Sequence, residues 1–160
     1  MKLIYDLDGV LRDLSGHLAK KYNENYPTTW NCTFGGMKYL DAVEKDMKVL
    51  LDAPPTGYLE VAKKYGIDEI WTDQPELWKV YTHQWIIQHI GVVPTFYLTT
   101  AQKEQRLIDE EDSILIEDSP NFVEYNAILL IDRPYNQEVR ATRIFGSKHL
   151  DNTLDLITKP

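Results

Sequence analysis

Short, mostly apolar runs in this chain end on polar residues that can do chemistry. Lys2 to Tyr5 runs into Asp6, Glu69-Ile70-Trp71 into Thr72, and Ile114 to Glu117 into Asp118. Apolar strands without in–out alternation are covered on both faces, which characterises parallel sheets joined by helical crossovers. The stretches between them fit. Leu14, Leu18 and Tyr22 recur at helical spacing, Thr28 to Asn31 reads as a loop, and Leu40, Val43, Met47, Leu50 and Leu51 mark a second amphipathic helix. Tyr58 to Tyr65 reads as a helix ended by Gly66, and Pro75 to Ile90 as a helix with proline at its start and Gly91 beyond its end. Further strands are expected at Thr95 to Thr99, Ala127 to Ile131 and Arg143 to Phe145, and helices at Asn121 to Asn126 and Leu150 to Ile157. This alternation predicts an α/β fold built on a doubly wound parallel sheet, which binds ligands at the carboxyl ends of its strands. Residues 13–53, closed off by Pro54-Pro55 and Gly57, read as a small helical insertion after the first strand.

A chain of 160 residues fits one domain with such an insertion and buries enough surface to fold without disulfides or a structural metal. The lone Cys32 excludes an intramolecular disulfide and suits a reducing compartment. Asp6 and Asp8 interrupt any signal-peptide core, and no apolar run has the length of a membrane span, so a cytoplasmic location and no membrane partner are expected. The formal net charge of −8, with no basic stripe, argues against long nucleic-acid partners. A small phosphorylated substrate stays compatible, because a bound metal ion locally outweighs surrounding acidity.

In Asp6-Leu7-Asp8-Gly9-Val10, a carboxylate at a strand end can bind Mg²⁺ and attack phosphorus. A second carboxylate two residues on can protonate the leaving oxygen and later activate water. Taken alone, the pentapeptide also describes a surface turn. Ile116-Glu117-Asp118-Ser119-Pro120 places paired acids after an apolar run, where they are costly unless they hold a cation. An acidic turn before a helix explains that pattern as well. Thr72 could donate to a phosphate oxygen and Lys103 could neutralise it, although each alone reads more simply as structural or solvated. Their order gives them weight: Asp-x-Asp, then threonine, then lysine, then the acidic pair.

That order resembles the four motifs of the haloacid dehalogenase superfamily, most closely the 5′(3′)-deoxyribonucleotidases. The resemblance is carried by DLDGVLRD (6–13), APPTGYLEVAKKYG (53–66), IWTDQP (70–75), FYLTTAQK (96–103), ILIEDSPN (114–121) and IDRPYN (131–136). It implies an α/β core of residues 1–12 and 54–160 with a cap of residues 13–53. It implies a Mg²⁺-dependent phosphomonoester hydrolase with Asp6 as nucleophile and Asp8 as acid/base. The metal would take Asp6, the backbone carbonyl of Asp8, and Asp118, with Glu117 beside the ligands. Thr72 and Lys103 would hold the phosphate, and Leu14, Trp30 and Phe34 are candidate substrate contacts in or near the cap. The implied substrate is a nucleoside monophosphate; a homodimer is left open.

Thr99 or Thr100 competes with Thr72, but that register leaves only residues 101–113 for a helix, a strand and the lysine. Three departures from the family stand out: Asp73 follows Thr72 where a small or hydroxyl residue is usual, Glu117 replaces an aspartate, and Leu14 replaces an aromatic. Rival readings are a phosphatase of sugar phosphates or polynucleotide ends, a phospho-accepting receiver domain, and a catalytically weakened nucleotide-binding protein. The receiver is disfavoured because its phosphorylated aspartate follows the acidic pair. His83 and His89 lack the spacing of a paired metal site, and Trp71, Trp78 and Trp85 read as core.

Overall fold

A computed structural model describes residues 1–160. The chain runs β1 (Lys2–Tyr5), α1 (Leu14–Lys21), β2 (Thr33–Phe34), β3 (Met37–Lys38), α2 (Tyr39–Lys45), α3 (Val49–Asp52), α4 (Tyr58–Tyr65) and β4 (Glu69–Thr72). It continues through α5 (Lys79–His89), β5 (Thr95–Tyr97), α6 (Thr100–Asp109), β6 (Ser113–Glu117), β7 (Ile128–Ile131), β8 (Thr142–Ile144) and α7 (Ser147–Thr158). No helix is long and apolar enough to cross a membrane.

Six strands form one sheet in the order β5-β4-β1-β6-β7-β8, every pairing parallel. The apolar runs that end on Asp6 and Glu117 are therefore neighbours at the centre, which explains why they lack alternation: both faces are covered. Leu3, Tyr5, Ile70, Ile116, Leu129 and Ile131 point to one face and pack with residues of α4, α5 and α7. Ile4, Trp71 and Leu115 point to the other, where they meet Phe122 and, at the edge of the cluster, Leu107 of α6. The chain leaves β1 towards β4 and leaves β6 towards β7, so the strand order reverses between β1 and β6. That crevice is where open α/β sheets bind ligands.

The segment between β1 and α4 has a buried cluster of its own, with Leu14, Leu18, Phe34, Val43 and Leu50 closed by Trp78. Two points here differ from the sequence reading. The expected helix through Leu40 and Leu51 is two helices, because Asp46 leaves helical geometry and binds Lys21 of α1 at 2.5 Å. Both halves still direct apolar residues, Val43 and Leu50, into the same cluster. Thr33–Phe34 and Met37–Lys38 form a hairpin unforeseen in the sequence, turned by Gly35-Gly36 with φ of 56° and 75°.

Three more differences lie further on. The helix expected from Pro75 starts with a 3-10 turn, Glu76–Trp78, before α5. No helix forms over Asn121 to Asn126. There the Tyr125 hydroxyl accepts from Phe122 N and donates to the Ser119 carbonyl, while Val123 N donates to Glu104, so backbone groups are satisfied locally instead. Helix α6 lacks an expectation in the sequence because it is mostly polar, and Lys103 is its one buried residue.

Candidate functional site

Asp6 follows β1 and Asp118 follows β6, adjacent parallel strands held in register by Tyr5 opposite Ile116. Asp6 N donates to the Ile116 carbonyl at 2.9 Å, so the ladder itself brings the two strand ends together. Asp6, Glu117 and Asp118 are all buried and offer carboxylate oxygens within 4.8 Å of one another. Lys103 reaches in from the first turn of α6, with Nζ at 2.8 Å from Asp6 Oδ1 and 2.9 Å from Glu117 Oε2. That turn is set by Thr99, whose side chain caps the helix in a reciprocal box with Gln102. Thr99 is thus a helix cap, and it follows β5, two strands from β1. Thr72 ends β4, directly beside β1, and is buried.

The charges do not balance. Three carboxyl groups share one buried ammonium, and a buried charge without a partner is expensive. Burial and then the charge of Glu117 push the Asp6 carboxyl up to about 8, although Lys103 pulls it down. Burial followed by Asp6 and Glu117 drives Asp118 well above the usual carboxylate range. Glu117 goes the other way. Burial opposes its charge, but Lys103 and the amide of Asp118 hold it below its ordinary value. Its Oε1 accepts the amides of Asp118 and Ser119, so Glu117 supports the loop after β6 as well as Lys103.

Beyond Glu117, two residues fix Asp118. Tyr135 donates its hydroxyl to Oδ2, and Asn136 Nδ2 binds the Asp118 carbonyl at 2.9 Å and that of Ile131 at 2.8 Å. Oδ1 is buried with no hydrogen-bond partner. Gly9 passes so close that a Cβ there would lie 1.9 Å from Oδ2, and its φ of +85° suits glycine. Arg133 anchors this loop by donating from Nη2 to the Gly9 carbonyl at 2.8 Å.

Asp8 stands apart from the acidic triad. Both its oxygens are taken by Arg12, from Nε at 2.6 Å and Nη2 at 2.9 Å. Thr72 Oγ1 accepts from Gln74 Nε2 at 3.0 Å, which leaves its own proton free to donate elsewhere.

These groups open on a cavity of about 770 Å³. Asp6, Asp8, Thr72, Lys103 and Asp118 line its floor, while Trp30, Tyr39 and Tyr135 supply aromatic wall. Trp30 meets Tyr135 edge-on at 5.3 Å between ring centres. Asp73 also lines the cavity, with an exposed side chain. Two of the expected substrate contacts are elsewhere: Leu14 and Phe34 are buried in the second cluster and do not line the cavity. An apolar residue at helical spacing serves core and pocket equally in a sequence; here the insertion needed both for its own core. His17, His83, His89 and His149 do not line the cavity.

Neither family models nor curated protein sequences match this chain.

Several residues of the site were not singled out in the sequence. Tyr135 and Asn136 lie within IDRPYN, which carried the resemblance without a role for either. Arg12 had a readable signal: it stands four residues after Asp8 and is the cation of the DLDGVLRD segment. Gln74 and Thr82 had none, since their neighbours are set only when α5 packs beside β4.

Proposed function

We propose that the chain is a Mg²⁺-dependent phosphomonoester hydrolase of the haloacid dehalogenase type, resembling the 5′(3′)-deoxyribonucleotidases and acting through an aspartyl-phosphate. The observation that carries this reading is the buried group Asp6, Glu117 and Asp118, bridged by Lys103, with Asp118 Oδ1 left without a partner. Three carboxyl groups around one ammonium suit a hard divalent cation, which takes oxygen ligands. Asp6 and Asp118 would hold it together with the Asp8 carbonyl, and Glu117 would stay with Lys103. When bound, the ion neutralises charge at the carboxylates and on the phosphate.

The chain's own residues supply the rest. In the first step an Asp6 oxygen forms a bond to phosphorus as the bond to the leaving oxygen breaks, and Asp8 gives that oxygen a proton. In the second, water attacks phosphorus, its proton goes to Asp8, and Asp6 is released. Lys103 and the free proton of Thr72 hold the oxygens of the transferring group, where positioned charge matters most. Residues 13–53 act as the cap, and the core comprises residues 1–12 and 54–160. A nucleoside monophosphate is the proposed substrate: the cavity is large enough for one, and Trp30, Tyr39 and Tyr135 offer rings for a base.

Exposed Asp73 in the cavity lining favours a second reading, a weakened enzyme that binds more than it turns over, since a carboxylate repels a phosphate dianion. One experiment separates the two. The purified chain with Mg²⁺ should release phosphate from an aryl phosphate and from a panel of nucleoside monophosphates, and Asp6→Asn should abolish release. Binding of those nucleotides without metal-dependent turnover would favour the second reading.

A further inference from the structure

Arg12 is among the largest side chains with no solvent exposure in the protein, and it is charged. Buried arginine persists only where its N–H groups find partners, and these are unusually informative. Nε and Nη2 clamp the two oxygens of Asp8. Nη1 donates to the Leu50 carbonyl at 2.9 Å, which belongs to α3 of the inserted segment. Nη2 also donates to Thr82 Oγ1 of α5 at 3.3 Å, and the guanidinium lies 5.6 Å from the centre of the Trp85 ring. Thr82 donates on to Gln74 Oε1 at 2.7 Å, and Gln74 Nε2 donates to Thr72. A continuous chain of polar contacts therefore joins Asp8 to Thr72, with Arg12 at the point where the inserted segment touches it.

We propose that Arg12 is a positioning residue through which the inserted segment and α5 set the Asp8 carboxyl group against the leaving oxygen. This rests on the phosphatase reading above. A bidentate clamp uses one lone pair on each Asp8 oxygen and fixes the plane of the remaining ones. The Asp8 side chain is 18% exposed and Arg12 is fully enclosed, so Asp8 alone of the pair reaches the cavity. Arg12 does not line the cavity. Its contribution falls on the step in which the bond from phosphorus to the leaving oxygen breaks and that oxygen takes the Asp8 proton. Lysine at position 12 keeps the charge but cannot reproduce the planar fork.

The test compares Arg12→Lys with wild type on an alkyl phosphate, whose leaving oxygen needs a proton, and on an aryl phosphate, which needs one far less. Arg12→Lys should lower kcat on the alkyl ester by about 10- to 100-fold, with KM little changed and a smaller loss on the aryl ester. Added to Asp8→Asn it should cost nothing further, because Arg12 acts through Asp8. Equal losses on both esters, or the same loss with and without Asp8, would assign Arg12 a merely structural role and overturn the proposal. If Arg12→Lys does not fold, Thr82→Val replaces it; a smaller shift in the same alkyl-to-aryl ratio supports the proposal and an unchanged ratio overturns it. A wild type inactive on both esters removes the phosphatase reading and this inference with it, whereas an active wild type with unmoved ratios overturns the inference alone.

Discussion

Lys103 is buried with two carboxylates, and removing one partner of such a group leaves buried charge uncompensated. Lys103→Met should therefore destabilise the fold by about 3–5 kcal/mol at neutral pH, read by urea unfolding. The same cluster sets a pH dependence. Asp6 titrates at about 8 in the fold against an ordinary 3.8, and Asp118 is raised as well. Between those values the folded chain holds more protons than the unfolded one, so stability falls as pH rises from about 4 to 8. Glu117, lowered from 4.5, opposes this only in more acidic solution. Thermal melting in chelator should show the decline, and saturating Mg²⁺ should flatten it by replacing those protons; a slope unchanged by Mg²⁺ would mean the triad does not hold the ion. Asp6, Asp8, Thr72, Lys103, Glu117 and Asp118 were all legible as candidates, because each is a polar residue at or just past the end of an apolar run or next strand. Their roles were less so: that Asp8 is clamped and Asp118 half-orphaned depends on side chains from distant parts of the chain.

Among the elements, the loop from Asp6 to Arg12 is closed on itself by backbone hydrogen bonds. Leu7 O accepts from Val10, Leu11 and Arg12, and Gly9 N donates back to Arg12 O, so the chain curls tightly past Asp118. Gly9→Ala would force a Cβ against Asp118 Oδ2 in a left-handed backbone conformation. A loss of about 1–3 kcal/mol in stability is expected and, if the proposed Mg²⁺ site is right, weaker Mg²⁺ binding by calorimetry than in wild type. Helices α4 and α7 and the strands of the six-stranded sheet were readable from apolar spacing and from punctuation such as Gly66. Helix α6 was not. It is polar over most of its surface and buries a lysine, and Leu107 at the edge of the sheet cluster is too little to make a readable apolar stripe. The 121–126 segment failed in the opposite sense, since Tyr125 supplies the hydrogen bonds a helix would have made.

At the scale of the whole molecule, two apolar clusters meet across a few side chains. Trp78, ahead of α5, is buried in the cluster of the inserted segment, and Trp85 on α5 donates from Nε1 to the Ala53 carbonyl at 2.7 Å. With Arg12, these contacts tie residues 13–53 to the sheet. Wild type should unfold in one transition by circular dichroism and by tryptophan fluorescence alike. Trp78→Ala should cost about 3–5 kcal/mol and separate the two probes, as the inserted segment loosens first. The local pattern alone determined the parallel α/β architecture and the polar residues at its strand ends, because apolar runs, helical spacing and glycine or proline stops are properties of neighbours in sequence. Only the tertiary structure decided which strands lie side by side, that Lys103 binds Asp6 and Glu117, and that Leu14 and Phe34 are core while Trp30 and Tyr135 face the cavity. Those outcomes depend on contacts between residues as distant in sequence as Tyr5 and Ile116 or Asp6 and Lys103, which chain packing creates and local pattern does not encode.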